Sequence, residues 1–391
     1  MRVRRFPADE RRARLMWRHR LALPASSCTE AAEALVGIHS SDAASAMLAL
    51  RARVADFTVG AAERALYEER RLARVLGMRR TMFVVPTPLV PVVHAACTRA
   101  LAPRERRRTE RLLAEAGITD DPETWLREVE AATLAALGAR GAATAGELSE
   151  DVPQLRVQIP FGQGKKWAGS MGVSTRVLFL LAVEGRVVRA RPRGSWTSTQ
   201  YRWAPLAAWL GVDVDALETD AAAVELARRW LRAFGPAALD DLRWWTGWSA
   251  ATTRRALSQL DVVEVDLDGA LGLALADDLD PVEAPSPRAL LLPALDPTVM
   301  GWTQRDWFLG EHAGVLFDRN GNAGPTVWWD GRVVGGWAQR PDGEVVVRLL
   351  EDVGRDAQEA IATAAEDLRR WLGDVRIIPR FRTPLERELS A

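Results

Sequence analysis

Four consecutive residues, His39, Ser40, Ser41 and Asp42, carry the densest reactive chemistry in this 391-residue chain. An imidazole titrates at about 6.5 when unperturbed, so near neutral pH it can orient a water or accept its proton. Ser41 or Asp42 can complete the hydrogen bonding. The tetrad lies between two segments of helical periodicity, and at a helix entrance free backbone N–H groups and the dipole favour an anion or a water aimed at an electrophilic sugar carbon. The same residue types also make an ordinary capping turn, since Ser and Asp are favoured N-caps.

A second concentration of chemistry lies between Val152 and Val212, where nine basic residues stand against the single acid Glu184. Lys165, Lys166, Arg176, Arg189, Arg191 and Arg193 fall in it, with Ser195 among further hydroxyl donors. Charged and neutral donors so interleaved suit the phosphate oxygens of a nucleic acid. Arg79 and Arg80, beside Gly77, add a smaller basic turn. A solvated, arginine-rich face is the alternative use of the same charge.

Other motifs carry less. Asp318-Arg319-Asn320-Gly321-Asn322 opens like a calcium loop but has Ala323 where glycine is required and no glutamate at the twelfth position, so it reads as a turn. Gly162-Gln163-Gly164-Lys165-Lys166 lacks the spacing of a nucleotide-binding loop and reads as a flexible basic loop. The sixteen tryptophans suit packing, and His19, His94 and His312 stand alone.

The elements that must position these residues alternate helices with hairpins. Helices are expected from Thr29 to about Ile38, from Ala43 to about Val54 and over 61–71, followed by a hairpin over 72–85. The periodicity then predicts helices over 89–98, 104–115, 122–137 and 144–150, with 151–169 irregular. A helix capped by Ser174 or Thr175 ends at Glu184, because Gly185 suits a left-handed cap, and hands into a hairpin over 186–203. Helices over 222–234, 236–246 and from Ser249 to Leu260 precede strands 262–266 and 270–275 around Asp268-Gly269. Beyond Pro285, short strands at 289–292, 307–309, 326–330, 332–339 and 344–350 precede a last helix over 356–371. The expected fold is therefore α+β: three tandem winged-helix units followed by a small C-terminal β-barrel or sheet with one helix. The units are placed at 1–98, 99–212, 213–284 and 285–391, with the basic outer face of an amphipathic helix within residues 1–23.

The 52 basic and 52 acidic residues cancel, yet their distribution does not: 213–300 holds sixteen acids against seven bases. Such asymmetry fits a protein with one face for a polyanion and another kept off it. Two cysteines, Cys28 and Cys97, make neither a disulfide framework nor a zinc site and point to a reducing, cytoplasmic compartment. No apolar run is long enough to span a bilayer, so no membrane partner is expected.

The order Leu35-Val36-Gly37-Ile38-His39-Ser40-Ser41, Met78-Arg79-Arg80-Thr81-Met82-Phe83-Val84-Val85-Pro86, Arg176-Val177-Leu178, Glu184-Gly185-Arg186-Val187-Val188-Arg189, Trp244-Trp245-Thr246-Gly247 and Leu292-Pro293-Ala294-Leu295-Asp296-Pro297 resembles the bacterial winged-helix family that contains the AlkZ-like DNA glycosylases. The resemblance spans nearly the whole chain. It implies three winged helices and a β-barrel clamped on duplex DNA, and excision of alkylated bases, in some members from interstrand crosslinks. The family's catalytic motif, Gln, a hydrophobic residue, then Gln or Asp, with histidine first in some members, corresponds here to His39, Ser40 and Ser41. A position where the family typically has histidine is Phe83.

The resemblance thus implies a monofunctional DNA glycosylase for N7- or N3-alkylated purines, with His39, Ser41 and Asp42 catalytic. Lys165, Lys166, Arg176, Arg189, Arg191, Arg193, Ser195, Arg79 and Arg80 are expected on DNA. A cationic purine leaves without a metal, so no metal or cofactor is expected, and the chain is expected to act as a monomer. The alternative is a winged-helix DNA-binding protein without catalysis, in which the tetrad is only a turn.

Overall fold

The computed structural model describes residues 3–162, 164 and 168–391. Lys165 and Lys166 lie outside the described residues.

The hairpin Leu72–Leu76 with Met82–Pro86 and the hairpin Val187–Ala190 with Arg202–Pro205 share one sheet, because Arg74 pairs antiparallel with Arg189. Ile38–His39 adds to the first hairpin at one edge, and Ala143–Thr144 to the second at the other. The result is an antiparallel six-stranded sheet. One face packs Val75, Phe83, Val85, Val188 and Ala190 into the main core with Trp230, Phe234, Trp245 and Trp302. The tryptophans at this centre are packing elements, as their size favours.

Helix starts follow their caps. Ser27 caps Cys28–Ala34, Asp42 caps Ala43–Arg51 and Ser249 caps Ala250–Leu257. Val173–Val183 ends at Glu184 before the left-handed Gly185, as its sequence predicts. Thr144 and Glu147 close a reciprocal capping box at the start of Ala145–Asp151.

The third hairpin, Val262–Leu267 with Ala270–Leu275, takes Arg4–Arg5 as a parallel neighbour. The first helix, Ala8–Arg18, accordingly joins this part of the molecule. Its arginines do not form the basic outer face expected: Arg14 is buried against Glu10 and Asp278, and Arg18 also pairs with Asp278. Acids far along the chain neutralise a charge run that looks solvated locally.

The C-terminal part is an open antiparallel sheet of Ala289–Leu292, Thr326–Trp329, Arg332–Gln339 and Val345–Leu349, in that order. Among the described residues it does not close, so of the barrel or sheet expected from the strands it is a sheet, and the barrel implied by the resemblance is not formed. Helix Arg355–Leu372 covers it through Ile361, Leu368 and Leu372 against Val327, Val334 and Trp337. Three local expectations are corrected. The helix expected to run to about Ile38 ends at Ala34, and Ile38–His39 form a strand. Residues 307–309 lie in the helical turn Asp306–Leu309, not in a strand. The stretch 151–169 contains a hairpin strand, Gln158–Phe161, which pairs with Gly169–Gly172. Asp318 does form the expected turn, accepting from the backbone N–H groups of Asn320 and Asn322. Among the described residues, no helix is long and apolar enough to cross a membrane.

Candidate active site

His39 ends the edge strand, opposite Phe83. Cross-strand partners share a face of a pleated sheet, and successive residues alternate. His39, Phe83 and Val75 therefore occupy the main-core face, whereas Val84, Arg74 and Arg189 occupy the other. The imidazole packs edge-on against Phe83 at 5.1 Å and is only 5% exposed. Its Nδ1 is buried without a hydrogen-bond partner. Burial first, then the nearby guanidinium groups of Arg79 and Arg74, lower its pKa to about 3. The ring is neutral throughout the physiological range, and a far weaker base than an exposed histidine.

Beyond His39 the chain leaves the strand. Ser40 is buried, with its N–H donating to Met82 O at 2.7 Å. Asp42 caps the following helix: Oδ1 accepts from the N–H of Ala44 at 2.9 Å and of Ser45 at 3.4 Å. Its Oδ2 accepts from the N–H of Arg380 at 2.8 Å, and the Arg380 guanidinium donates to Ser41 O at 3.3 Å. A segment from the far end of the chain thus straps the tetrad in place.

Ser41 opens onto a cleft of about 690 Å³ on the face opposite His39. Leu76, Arg80, Met82, Phe179, Arg189 and Tyr201 are among its walls, drawn from both hairpins and from helix Val173–Val183. The lining does not include His39. The sequence therefore brings His39 and Ser41 to one strand end but to different environments.

The expected DNA-contacting residues divide in the same way. Arg176 is buried on helix Val173–Val183 with its guanidinium bonded to Glu105 Oε2 at 3.2 Å and Thr109 Oγ1 at 2.8 Å, so it braces a helix pair instead of meeting solvent. Arg80 reaches the other oxygen of Glu105 at 2.9 Å. Arg191 pairs with Glu63 at 2.5 Å and Glu68 at 2.9 Å, and Arg193 with Glu147 at 2.9 Å. Ser195 is exposed at the hairpin tip, its hydroxyl 2.8 Å from that of Thr197. Arg79, left-handed at φ 52°, stacks on Trp244 at 3.9 Å, with Arg305 beyond. Burial and the Arg305 charge lower its pKa to about 10.

Arg189 lines the cleft, 3.7 Å from the centre of the Trp203 ring and 4.6 Å from that of Tyr201. Burial, then the like charge of Arg74, lower its pKa to about 9. Sequence reasoning misses Arg74, Tyr201 and Arg380. Arg74 shows only as one charge inside an apolar strand, and Arg380 approaches the site from more than three hundred residues away. Buried charge within Leu72–Leu76 is the one local signal that a strand interior meets a special environment.

His19 is a satisfied core histidine, its Nδ1 2.8 Å from Thr298 Oγ1 and its Nε2 3.2 Å from Ala233 O. Among the described residues, no group of three or more His, Cys, Asp and Glu side chains could hold a metal ion.

A family model described as DNA glycosylase AlkZ-like matches residues 32–371. The solved structure of the Streptomyces sahachiroi DNA glycosylase AlkZ shares this fold at a TM-score of 0.71 and 21% identity, over 95% of this chain and 98% of that one. Among curated proteins, no sequence matches the chain. With the family model spanning the edge strand, both hairpins, every cleft wall but Arg380 and the whole C-terminal sheet, the chain belongs to the AlkZ-like family of DNA glycosylases.

Proposed function

We propose that this DNA glycosylase hydrolyses the N-glycosidic bond of N7- or N3-alkylated purines in duplex DNA, with His39 and Ser41 at the reacting centre. The observation that carries the residue assignment is that Ser41 opens to the cleft, with the buried, unpartnered Nδ1 of His39 two residues before it on the opposite face of the sheet. Buried polar atoms are nearly always hydrogen-bonded, and an open one in an enzyme is a place for substrate or water.

Water attacks C1′, the bond from C1′ to the purine nitrogen breaks, and its electron pair leaves with the base. Alkylation makes that base cationic, so it departs neutral and needs no general acid. The sugar passes through an oxocarbenium-like state that a positioned, polarised water relieves. His39 lies outside the cleft, so it meets that water only if the strand end rearranges when DNA binds; with a pKa of about 3 it then holds the water by a hydrogen bond, and the proton passes to solvent. Asp42 supports the site as helix cap and strap anchor.

The helix-then-hairpin segments ending at 86, 205 and 275 fit three tandem winged helices, with the acidic third one packing instead of gripping DNA. A cytoplasmic, monomeric enzyme acting on duplex DNA without metal or cofactor is the corresponding working state.

The test is single-turnover excision from duplexes carrying N7-methylguanine or a bulky N7 adduct, for the parent, His39→Ala and Ser41→Ala. Base release abolished by His39→Ala with duplex affinity retained supports the assignment. Parent release with unchanged rates in both variants places the chemistry elsewhere, and no release from either duplex discards the alkylpurine reading.

A further inference from the structure

Arg74 and Arg189 stand directly opposite each other on neighbouring strands and on the same face. Like charges in that position repel. Both guanidinium groups lie against one ring, that of Tyr201, at 4.2 Å and 4.6 Å. Arg380 is close enough to add a third positive charge that acts on Arg189.

Among the ion pairs of the described residues, none includes Arg74, Arg189 or Arg380, although Arg80, Arg191 and Arg193 around them each have an acid. Arg74 is 5% exposed, and its Nε is buried without a partner. A buried cation held beside two others is costly unless an anion completes the set. The cluster is also tied to the motif: Arg74 donates to Ser40 O and to the Tyr201 hydroxyl, and Arg380 to Ser41 O. Two successive carbonyls before Asp42 are thus held by the cations left without an acid.

We propose that Arg189 and Arg380, backed by Arg74, clamp one DNA backbone phosphodiester in the cleft beside Ser41, and so set the position of the neighbouring sugar relative to the motif. A phosphodiester carries one negative charge and accepts at two oxygens, which two guanidinium groups can share. The clamp lies inside the cleft, whereas the hairpin-tip arginines Arg191 and Arg193 already hold acids. Arg189, Arg380 and Arg74 are positioning residues for the excision reaction proposed above, and their phosphate contact is independent of which base is excised.

The test is a methylphosphonate scan. Each backbone phosphate in turn is made neutral in a fluorescein-labelled duplex, and affinity is read by anisotropy without excision. For the parent, one position is expected to weaken binding about tenfold or more, the size of a lost charged hydrogen bond. Arg189→Met and Arg380→Met should bind the unmodified duplex more weakly and lose sensitivity at that one position only, with a shallower salt dependence by about 0.9 per lost contact. Arg189→Lys should keep the sensitivity, and Arg191→Met should keep the parent profile. Circular dichroism of each variant confirms the fold. A profile in Arg189→Met identical to the parent's, or no sensitive position in the parent, overturns the clamp. Normal scans alongside absent excision would discard the alkylpurine reading and leave the clamp standing.

Discussion

Arg53 and Asp296, 243 residues apart, meet in a fully buried bidentate ion pair with N–O distances of 2.6 and 2.8 Å. Arg53 also donates to Ala49 O and Thr298 Oγ1, and Asp296 Oδ1 accepts from the N–H of Thr298. The pair fastens the end of helix Ala43–Arg51, which Asp42 caps, to the Leu292–Pro297 motif. That motif is therefore a structural anchor for the strand end.

Breaking this pair should be severe. A single Asp296→Ala leaves a buried guanidinium uncompensated, at a cost of about 3–5 kcal/mol. Arg53→Met with Asp296→Leu removes both charges and should recover most of the loss. Urea unfolding midpoints read the difference. A single-variant loss below about 1 kcal/mol would show that the pair is not what holds these segments together.

Much of this architecture is legible locally. Asp42 as a cap, Gly185 as a left-handed stop, the Asp268-Gly269 hairpin and the strand 332–339 follow from residue types and periods of two or 3.6. What escapes local reading is long-range pairing. Nothing in Leu72–Leu76 announces that its third residue will meet Arg189 in another hairpin, nor in Arg4–Arg5 that they will join strand Val262–Leu267. Residues 307–309 are apolar enough for a strand, but they turn helically after Arg305 to pack Phe308 on Trp302 and Trp328.

The candidate site divides along the same line. His39, Ser41 and Asp42 stand out by residue type, and their adjacency is sequential. The fate of each arginine depends on acids elsewhere. Arg176, in a run of positive charge, is buried on Glu105, while Arg74, in an apolar strand, is left without one. Charge density along the chain marks a basic region but does not tell which cations remain for a ligand.

The lowered pKa of His39 sets the sign of its pH dependence. Its stabilising contribution is complete above the unfolded value of about 6.5 and is lost as pH falls toward the folded value of about 3. Each pH unit below 6.5 should cost about 1.4 kcal/mol while the ring stays neutral in the fold. His19, lowered by burial and then by Arg53, acts in the same direction. Urea midpoints between pH 7 and pH 4 should fall steeply, and His39→Gln should flatten part of that limb. Excision should show no inflection near pH 6.5; one that disappears in His39→Gln would mean that the imidazole titrates as an ordinary base.

Asp42 separates structure from chemistry by a conservative change. Asp42→Ala removes the cap and the strap bond and should cost about 1 kcal/mol or somewhat more. Asp42→Asn keeps an oxygen for the N–H groups of Ala44 and Ser45 and should restore most of the stability. If the carboxylate acts only through the fold, excision rates of both variants will follow their stabilities. A large loss in Asp42→Asn at near-parental stability would instead make the charge part of the reaction.

Gly37 controls where the edge strand lies. A Cβ there would stand 2.9 Å from Val85 Cγ1 and 3.3 Å from Val84 O. Val85 is buried and the carbonyl belongs to the neighbouring strand, so neither can yield freely. Val36 before it is already left-handed at φ 62°, a conformation costly for a β-branched residue, which leaves the backbone little room to adjust. Gly37→Ala should therefore push Ile38–His39 away from Met82–Pro86, destabilise the protein by about 1–3 kcal/mol, and reduce excision further than the folded fraction explains. Misplacement by about 1 Å can cost roughly a hundredfold in rate. Gly138→Ala is the matched control, since a Cβ there meets nothing within 4 Å in the helix Pro122–Arg140. It should raise stability by about 0.5–1 kcal/mol and leave excision unchanged. Equal excision by Gly37→Ala and the parent, measured where both are fully folded, would show that the reaction does not depend on the position of this strand.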